Sequence, residues 1–316
     1  MLVTKSEADE SVYGKTPMKV RNPTYREGEL YDHVLKSRFV DQSYEIKVLL
    51  PICEFQGSER FPVVYVTDSD ELFGGLSDIA RMLQGYGETT RFVLVGIGYG
   101  SVRKSRALRW RDLVTSNIRY HFSEEIKETM QSAFVDESVG MRQIYESTDA
   151  REFLEFIRLE LMPFIDENYP TLSGESSYSG YSAGGTFGLF TLFSKPDTFK
   201  RYIIGSPGTS YEGHHFCIPL VEEFLSAAGA RIDAKLFMSV GELEEFKSGH
   251  DQFDLVSGYY LLAKLLRRRA VPGLEMITRV FPGETHATAW VSAFAQGLKT
   301  LLGPPDQVPY WPKFSK

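Results

Sequence analysis

Two unbroken apolar runs, at 62–66 and 92–97, constrain the fold most. A strand that is apolar at every position must be buried on both faces, as in a parallel sheet. Later apolar runs alternate with helical patterns, which predicts an α/β fold whose mostly parallel central sheet has helices on both faces. These later runs lie at 201–204, 235–240 and 275–281.

Two further segments, around 30–39 and 43–50, are rich in β-branched and aromatic residues and flank the polar pair Asp41-Gln42. They predict an N-terminal antiparallel hairpin ahead of the parallel strands. A long helix is predicted from 149 to 168, where Asp149 and Glu152 form a capping pair and Pro163 bends or restarts the helix. A second long helix is predicted near 253–269, ending in three arginines that suit the negative end of a helix dipole.

The length of 316 residues fits one large domain. We expect an N-terminal extension over 1–28, a single α/β domain over 29–302 and a proline-rich tail over 303–316. Residues 113–147 interrupt the alternation of strands and helices, and a long insertion of this kind often forms a lid over a site.

Composition excludes several classes of protein. A net charge of −7 argues against nucleic acid as a partner. The sequence contains no run of 18 or more apolar residues, so no membrane span is predicted. Because the first residues lack the apolar stretch of a secretory signal, a cytoplasmic location is expected. The two cysteines, Cys53 and Cys217, are too few for a disulfide framework. No residues have the spacing of metal ligands, and the adjacent pair His214-His215 does not predict a metal site either.

The sequence Gly180-Tyr181-Ser182-Ala183-Gly184 matches the G-x-S-x-G pattern of a nucleophile elbow. An extended segment precedes Ser182. Small residues and then a run of apolar residues follow it. This is the strand-turn-helix context that exposes a serine hydroxyl above a sheet and directs free helix amides toward developing negative charge. Ser182 is therefore the candidate nucleophile.

A serine nucleophile needs a base, and α/β-hydrolases supply the chain order serine, acid, histidine. Of the histidines downstream of Ser182, His286 alone lies in a loop directly after an apolar strand and just before a helix. His286 is the candidate base. The acid should lie between the two, and three carboxylates follow the strand 235–240: Glu242, Glu244 and Glu245, with Asp251 as a more distant alternative.

The oxyanion hole requires two backbone donors. The N-H of Ala183 is one, and Ser69 or Asp70, after the strand that ends at Val66-Thr67, supplies the other. The glycines at 96, 98 and 100 resemble a dinucleotide-binding loop, but the third glycine has the wrong spacing and no helix is expected after them.

Together these motifs resemble the esterase branch of the α/β-hydrolases that includes siderophore (enterobactin-type) esterases and feruloyl esterases. The resemblance extends from about residue 30 to 302 and includes Arg109-Trp110-Arg111-Asp112-Leu113 and Gly283-Glu284-Thr285-His286. It implies hydrolysis of carboxylic esters through an acyl-enzyme, with no cofactor. It also implies an acid three residues beyond a glycine, which selects Glu244 after Gly241.

The chain departs from that family twice. It has Asp68-Ser69-Asp70 where Asp-Gly-Asp is usual, and Ser206-Pro207-Gly208 where siderophore esterases carry Ser-Pro-Ser followed by tryptophan. The second difference weighs against a siderophore substrate.

The leading hypothesis is a serine carboxylic-ester hydrolase acting on a small or medium acyl ester, with Tyr181 and Tyr211 as candidate substrate-binding residues. The alternatives are a siderophore-type trilactone esterase, an acyltransferase with the same triad, and a non-catalytic binding module that kept the fold. The sequence leaves the oligomeric state open.

Overall fold

The computed structural model describes residues 18–20, 28–52, 59–120, 124, 149–247 and 253–304. Its main feature is a mixed sheet in which nine strands have the order β1-β2-β3-β5-β4-β6-β7-β10-β11. The strands are β1 (Met18–Val20), β2 (Leu30–Lys36), β3 (Ser43–Leu49), β4 (Phe61–Val66), β5 (Val93–Gly98), β6 (Thr171–Tyr181), β7 (Arg201–Gly205), β8 (Ser210–Tyr211), β9 (His214–His215), β10 (Ala234–Gly241) and β11 (Leu274–Phe281).

The predicted topology is confirmed. β2 pairs antiparallel with β3, and β3 pairs antiparallel with β5. From β5 onward every neighbouring pair in the large sheet is parallel, through β4, β6, β7, β10 and β11. The carboxyl ends of these six strands therefore lie at one edge of the sheet, where α/β folds bind ligands.

Helices cover both faces of the sheet. They are α1 (Ser69–Gly85), α2 (Val102–Asp112), α3 (Ser116–Tyr120), α4 (Ala150–Phe156), α5 (Met162–Asn168), α6 (Ala183–Ser194), α7 (Cys217–Ser226), α8 (Glu244–Lys247), α9 (Leu255–Arg269) and α10 (Ala289–Leu302). On one face, α1 and α10 pack against the sheet through Phe73, Phe294 and Leu298. Burial of each such side chain contributes about 1.5–3 kcal/mol to the stability of the folded chain.

The opposite face carries α2, α4, α6, α7 and α9 and the larger part of the core. Tyr44 of β3 stacks on Phe156 of α4 with the ring centroids 4.5 Å apart. Between α4 and α5, residues Ile157–Leu161 form a π-helical segment, and Pro163 lies in the first turn of α5. The capping box of Asp149 with Glu152 is confirmed. The helix, predicted to bend or restart at Pro163, changes from the π-helical segment to α5 next to that residue.

One local prediction was wrong. A helix does follow the glycines at 96, 98 and 100, since α2 begins at Val102 with Ser101 as its N-cap, whose side chain accepts a hydrogen bond from the Lys104 amide. The cap supplies an acceptor for a free first-turn amide. The prediction failed because α2 is too rich in basic residues to show an apolar period.

The proposed lid at 113–147 lies mostly outside the described residues. Its described beginning contains the short helix α3. Among the described residues, no helix is both long and apolar enough to cross a bilayer.

Candidate active site

Ser182 lies at a sharp turn between β6 and α6, as the elbow pattern predicts. Its backbone has φ 58° and ψ −120°, a conformation that costs a non-glycine residue about 1–3 kcal/mol. Hydrogen bonds on both sides hold it there: the Ser182 amide donates to the Gly205 carbonyl at 3.0 Å, and the Ser182 carbonyl accepts from the Thr186 amide at 3.0 Å. The turn is thus fixed by β7 and by the first turn of α6.

The two glycines of the motif permit close backbone approach. A Cβ atom at Gly180 would lie 2.2 Å from the Gly184 carbonyl oxygen, and one at Gly184 would lie 2.5 Å from Thr67 Oγ1. Both distances are far below a normal contact. A side chain at either position would therefore displace the turn that presents Ser182 or the segment that follows β4.

Four neighbouring strands bring the candidate residues to one edge of the sheet. Ser182 follows β6, and Ser206 follows β7. Glu244 comes three residues after the end of β10, and His286 comes five residues after the end of β11. Because these strands are adjacent and parallel, residues far apart in sequence converge at their carboxyl ends.

Glu244 is in direct contact with His286. The Nδ1 atom of His286 lies 2.7 Å from Oε2 of Glu244. Glu244 is fully buried, whereas the His286 side chain keeps 16% of its surface exposed. With Nδ1 donating to the carboxylate, Nε2 is the ring nitrogen left to accept a proton from a nucleophile.

The second carboxylate oxygen of Glu244 is surrounded by donors. Oε1 accepts hydrogen bonds from Ser206 Oγ at 2.6 Å and from the Gly241 amide at 2.6 Å. The Tyr181 hydroxyl lies 3.3 Å from it and shares its single proton between this oxygen and the His286 carbonyl. Buried carboxylates are costly unless they are paired and hydrogen-bonded, and these donors meet that requirement.

The neighbouring glutamates have other partners. Glu242 is exposed, and its Oε2 accepts from the Gly283 amide at 2.9 Å. Glu245 Oε2 accepts from the Ser257 amide at 2.6 Å. Among the three carboxylates after β10, Glu244 is the one that contacts the ring of His286. Asp251 and His250 lie outside the described residues.

Tyr181 connects the elbow with the histidine loop. Its ring centroid lies 4.9 Å from that of His286, and its hydroxyl donates to the His286 carbonyl at 2.9 Å. Burial, followed by the charge of Glu244, raises the pKa of Tyr181, so the hydroxyl remains a donor at physiological pH. The residue directly before Ser182 therefore contacts both the base candidate and the acid candidate.

The candidate oxyanion donors lie at two helix starts. Ala183 opens α6, and Ser69 opens α1, so their amides have no acceptor within their own helices. The two starts are close together, because a Cβ at Gly184 would also lie 3.1 Å from Asp68 Oδ2. The carboxylate of Asp70 accepts hydrogen bonds from the amides of Tyr99 and Gly100.

The other candidates are more dispersed. Tyr211 is buried and packs edge-on against Phe253, which itself stacks on Trp110. The pair His214-His215 is exposed on β9. Cys217 is a buried free thiol whose pKa burial raises to about 12.

Ser206 was missed by the sequence analysis. The sequence marks it only as part of a departure from the family pattern, although a polar residue directly after the buried strand β7 is a signal of the same kind that identifies Ser182. The residue is fully buried and has a φ of 43°. Its amide donates to the carbonyl of Ser239 on β10. Ser206 is therefore held by β10 as well as by β7, the strand that it follows.

Comparison with known proteins gives one family. The family model Esterase, described as "Putative esterase", matches residues 141–301, just over half of the chain. The ferri-bacillibactin esterase BesA of Bacillus subtilis is 26% identical over 275 residues, covering 86% of this chain and 89% of that protein.

Solved structures agree on the fold. The BES protein from Bacillus cereus has a TM-score of 0.68 at 21% identity, covering 91% of this chain and 99% of that one. The siderophore hydrolase EstA from Aspergillus nidulans has a TM-score of 0.70 at 19% identity, covering 90% and 97%. These similarities, with the sheet order above, identify an α/β-hydrolase-type fold.

Proposed function

Because the chain belongs to the Esterase family and is a carboxylic ester hydrolase, we propose that it acts through a Ser182-His286-Glu244 triad on a small-molecule acyl ester. The contact between His286 Nδ1, in the loop after β11, and Glu244 Oε2, at the start of α8, is the observation that carries the proposal. Both lie beside the strained turn at Ser182, because Tyr181, the residue before it, contacts each of them. A serine on a sharp elbow, an imidazole and an orienting acid are the parts that nucleophilic catalysis requires.

In the proposed mechanism, Ser182 Oγ attacks the ester carbonyl carbon while its proton passes to Nε2 of His286. The amides of Ala183 and Ser69 stabilise the negative oxygen of the tetrahedral intermediate. His286 then returns the proton to the departing alkoxide as the ester C–O bond breaks, leaving an acyl-enzyme at Ser182. Water, deprotonated by His286, attacks that acyl group. The bond between the acyl carbon and Ser182 Oγ then breaks, His286 returns the proton to Ser182 Oγ, and the carboxylic acid is released.

Glu244 has a supporting part in this scheme. Its Oε2 accepts the hydrogen bond of Nδ1, which fixes the tautomer of His286 and stabilises the imidazolium formed during attack. Ser206, Gly241 and Tyr181 hold the opposite oxygen, so the carboxylate is fixed in the orientation that this task needs.

A fluorophosphonate probe tests the nucleophile. We expect it to label Ser182, and we expect the label to be lost in Ser182→Ala. The matched control is Ser177→Ala, which changes a buried serine of β6, the strand that leads to Ser182, and should be labelled as wild type. Labelling elsewhere would contradict the assignment. Product analysis of an aryl ester with and without added alcohol separates hydrolysis from acyl transfer, since a transferase would form the new ester.

The second candidate substrate class is a siderophore trilactone. It is favoured by the similarity to the ferri-bacillibactin esterase, which extends over 86% of this chain. The test is to compare kcat/KM for a tricatecholate trilactone, with and without bound iron, against simple aryl and alkyl esters. A value for the trilactone at or below those of the simple esters would argue against this class.

A further inference from the structure

Two carboxylates flank Ser69 where α1 begins. Asp68 precedes the helix in a left-handed conformation, with φ 59° and ψ 31°. For a residue with a side chain this conformation costs about 1–2 kcal/mol, so surrounding contacts must hold it. Asp70 lies in the first turn of the helix itself.

Asp68 is held by α2. Its Oδ1 accepts from Arg109 Nε at 2.7 Å, and its Oδ2 accepts from Arg109 Nη2 at 3.1 Å. This is a two-point pair with little exposure, 17% for the arginine side chain and 7% for the aspartate. Burial alone would lower the pKa of Arg109, but the charge and hydrogen bonds of Asp68 outweigh burial and raise it. Planar two-point pairs fix geometry as well as contributing energy.

Asp70 is held by the loop just before α2. Its Oδ2 accepts from the Tyr99 amide at 2.6 Å, and its Oδ1 accepts from the Gly100 amide at 3.0 Å. The approach is close, since a Cβ at Gly98 would lie 2.6 Å from Ser69 Oγ. Both carboxylates that flank Ser69 are thus bound by the unit formed by β5 and α2, although they use different atoms of it.

We propose that Asp68, Arg109 and Asp70 are positioning residues that fix the Ser69 amide as the second oxyanion donor. This inference rests on the proposed function. The segment they hold lies against α6, because Thr67 and Asp68 occupy the space beside Gly184, one residue beyond the Ala183 amide. We call the Asp68–Arg109 pair one clamp, and the hydrogen bonds that Asp70 accepts from the backbone amides before α2 the other. The two clamps therefore set the distance between the amides of Ser69 and Ala183.

The expected size of the effect follows from the chemistry of such donors. Removal of one oxyanion donor lowers kcat by about 100- to 1000-fold, and a displacement of about 1 Å has effects near 100-fold. Loosening a clamp displaces the donor without removing it. We therefore expect kcat to fall about ten- to a hundredfold when either clamp is weakened, with KM for a neutral ester nearly unchanged.

The test compares Asp68→Asn and Asp70→Asn with the matched control Arg106→Gln. Arg106 lies on the same helix as Arg109 and also pairs with α1, through Glu71, but its side chain is 73% exposed. We would measure kcat and KM for p-nitrophenyl acetate and the inhibition constant of trifluoroacetophenone. This ketone forms a tetrahedral anion on a serine and therefore needs the oxyanion hole.

In both clamp variants, we expect the inhibition constant to rise by the same factor by which kcat/KM falls, with Arg106→Gln close to wild type. A purely structural role would instead lower the fraction of active enzyme, as titrated with a fluorophosphonate, without changing the inhibition constant. That result, or a loss confined to KM, would overturn the proposal while leaving the proposed function intact. A wild-type enzyme that is not labelled at Ser182 would overturn both.

Discussion

The Ser206 hydroxyl donates a 2.6 Å hydrogen bond to Glu244 Oε1, the oxygen that faces away from His286. Both side chains are fully buried. Because Ser206 directly follows β7 and Glu244 comes three residues after β10, the contact joins the ends of two neighbouring strands beside the elbow. It identifies Ser206 as a residue that orients the proposed acid.

Ser206→Ala is expected to lower kcat about ten- to a hundredfold. A hydrogen bond to a charged group contributes about 1.5–3 kcal/mol, which corresponds to this range when the loss appears in the transition state. Ser239→Ala is the matched control, since Ser239 is a buried serine whose hydroxyl has no hydrogen-bond partner among the described residues. Equal kinetics for the two variants, measured with p-nitrophenyl acetate, would remove Ser206 from this role.

Glu244→Gln is expected to lower kcat on the order of 100- to 10,000-fold, because the amide cannot stabilise the imidazolium of His286 as the carboxylate does. Glu242→Gln should leave kcat close to wild type, since Glu242 is exposed and its carboxylate accepts a hydrogen bond from the Gly283 amide. Steady-state kinetics of both variants, with thermal unfolding as a check on folding, would decide. Turnover at the wild-type level in Glu244→Gln would exclude Glu244 as the acid.

His286→Ala, Ser182→Ala and the double variant should have nearly the same residual rate. Groups that act in one step lose their effect together, so the second substitution has little left to remove. The residual rate reflects the oxyanion hole and substrate binding. If the losses multiplied in the double variant instead, the two residues would be acting independently.

A fourth prediction concerns stability and comes from His33. This side chain is buried, contacts Phe164 edge-on and hydrogen-bonds the Tyr169 hydroxyl. Burial lowers the pKa of His33 in the folded chain, although Asp32 acts in the opposite direction. The unfolded chain then binds the proton more readily. The contribution of neutral His33 to the free energy of unfolding should be fully present above about pH 6.5, and it should be lost as the pH falls below that value.

Thermal unfolding at pH 7.5 and 5.5 measures this effect. The drop in Tm between the two pH values should be smaller in His33→Gln than in the wild type. His215→Gln is the control, because His215 is exposed. A drop of equal size in all three proteins would show that His33 does not contribute to the pH dependence.

The sequence was sufficient for the sheet and the elbow because their signals are local. Continuous apolar runs identified the buried strands, and the glycines around Ser182 marked a turn that only close backbone approach explains. The choice among Glu242, Glu244 and Glu245 was not local. Only the family resemblance selected Glu244. The carboxylate that turns inward is decided by hydrogen-bond donors after β7, on β10 and at the residue before the nucleophile, and these donors are distant in sequence.

The contacts of Asp68 and Asp70 were beyond the reach of sequence patterns for the same reason. Their partners are a guanidinium and two backbone amides about 30 to 40 residues further along the chain. Backbone donors leave no trace in the sequence. The helix α2 that carries Arg109 was itself missed, because its many basic residues hide the apolar period on which helix prediction depends.

The most direct test of the proposed mechanism is mass spectrometry of the enzyme after rapid acid quenching during turnover of p-nitrophenyl acetate. The proposed mechanism predicts an added acetyl group on the peptide that contains Ser182, absent in Ser182→Ala. It also predicts that the acetyl group decays at the rate of steady-state turnover. Turnover without acetylation at Ser182, or an acetyl group on another residue that forms and decays at the turnover rate, would contradict the assignment of Ser182 as the nucleophile.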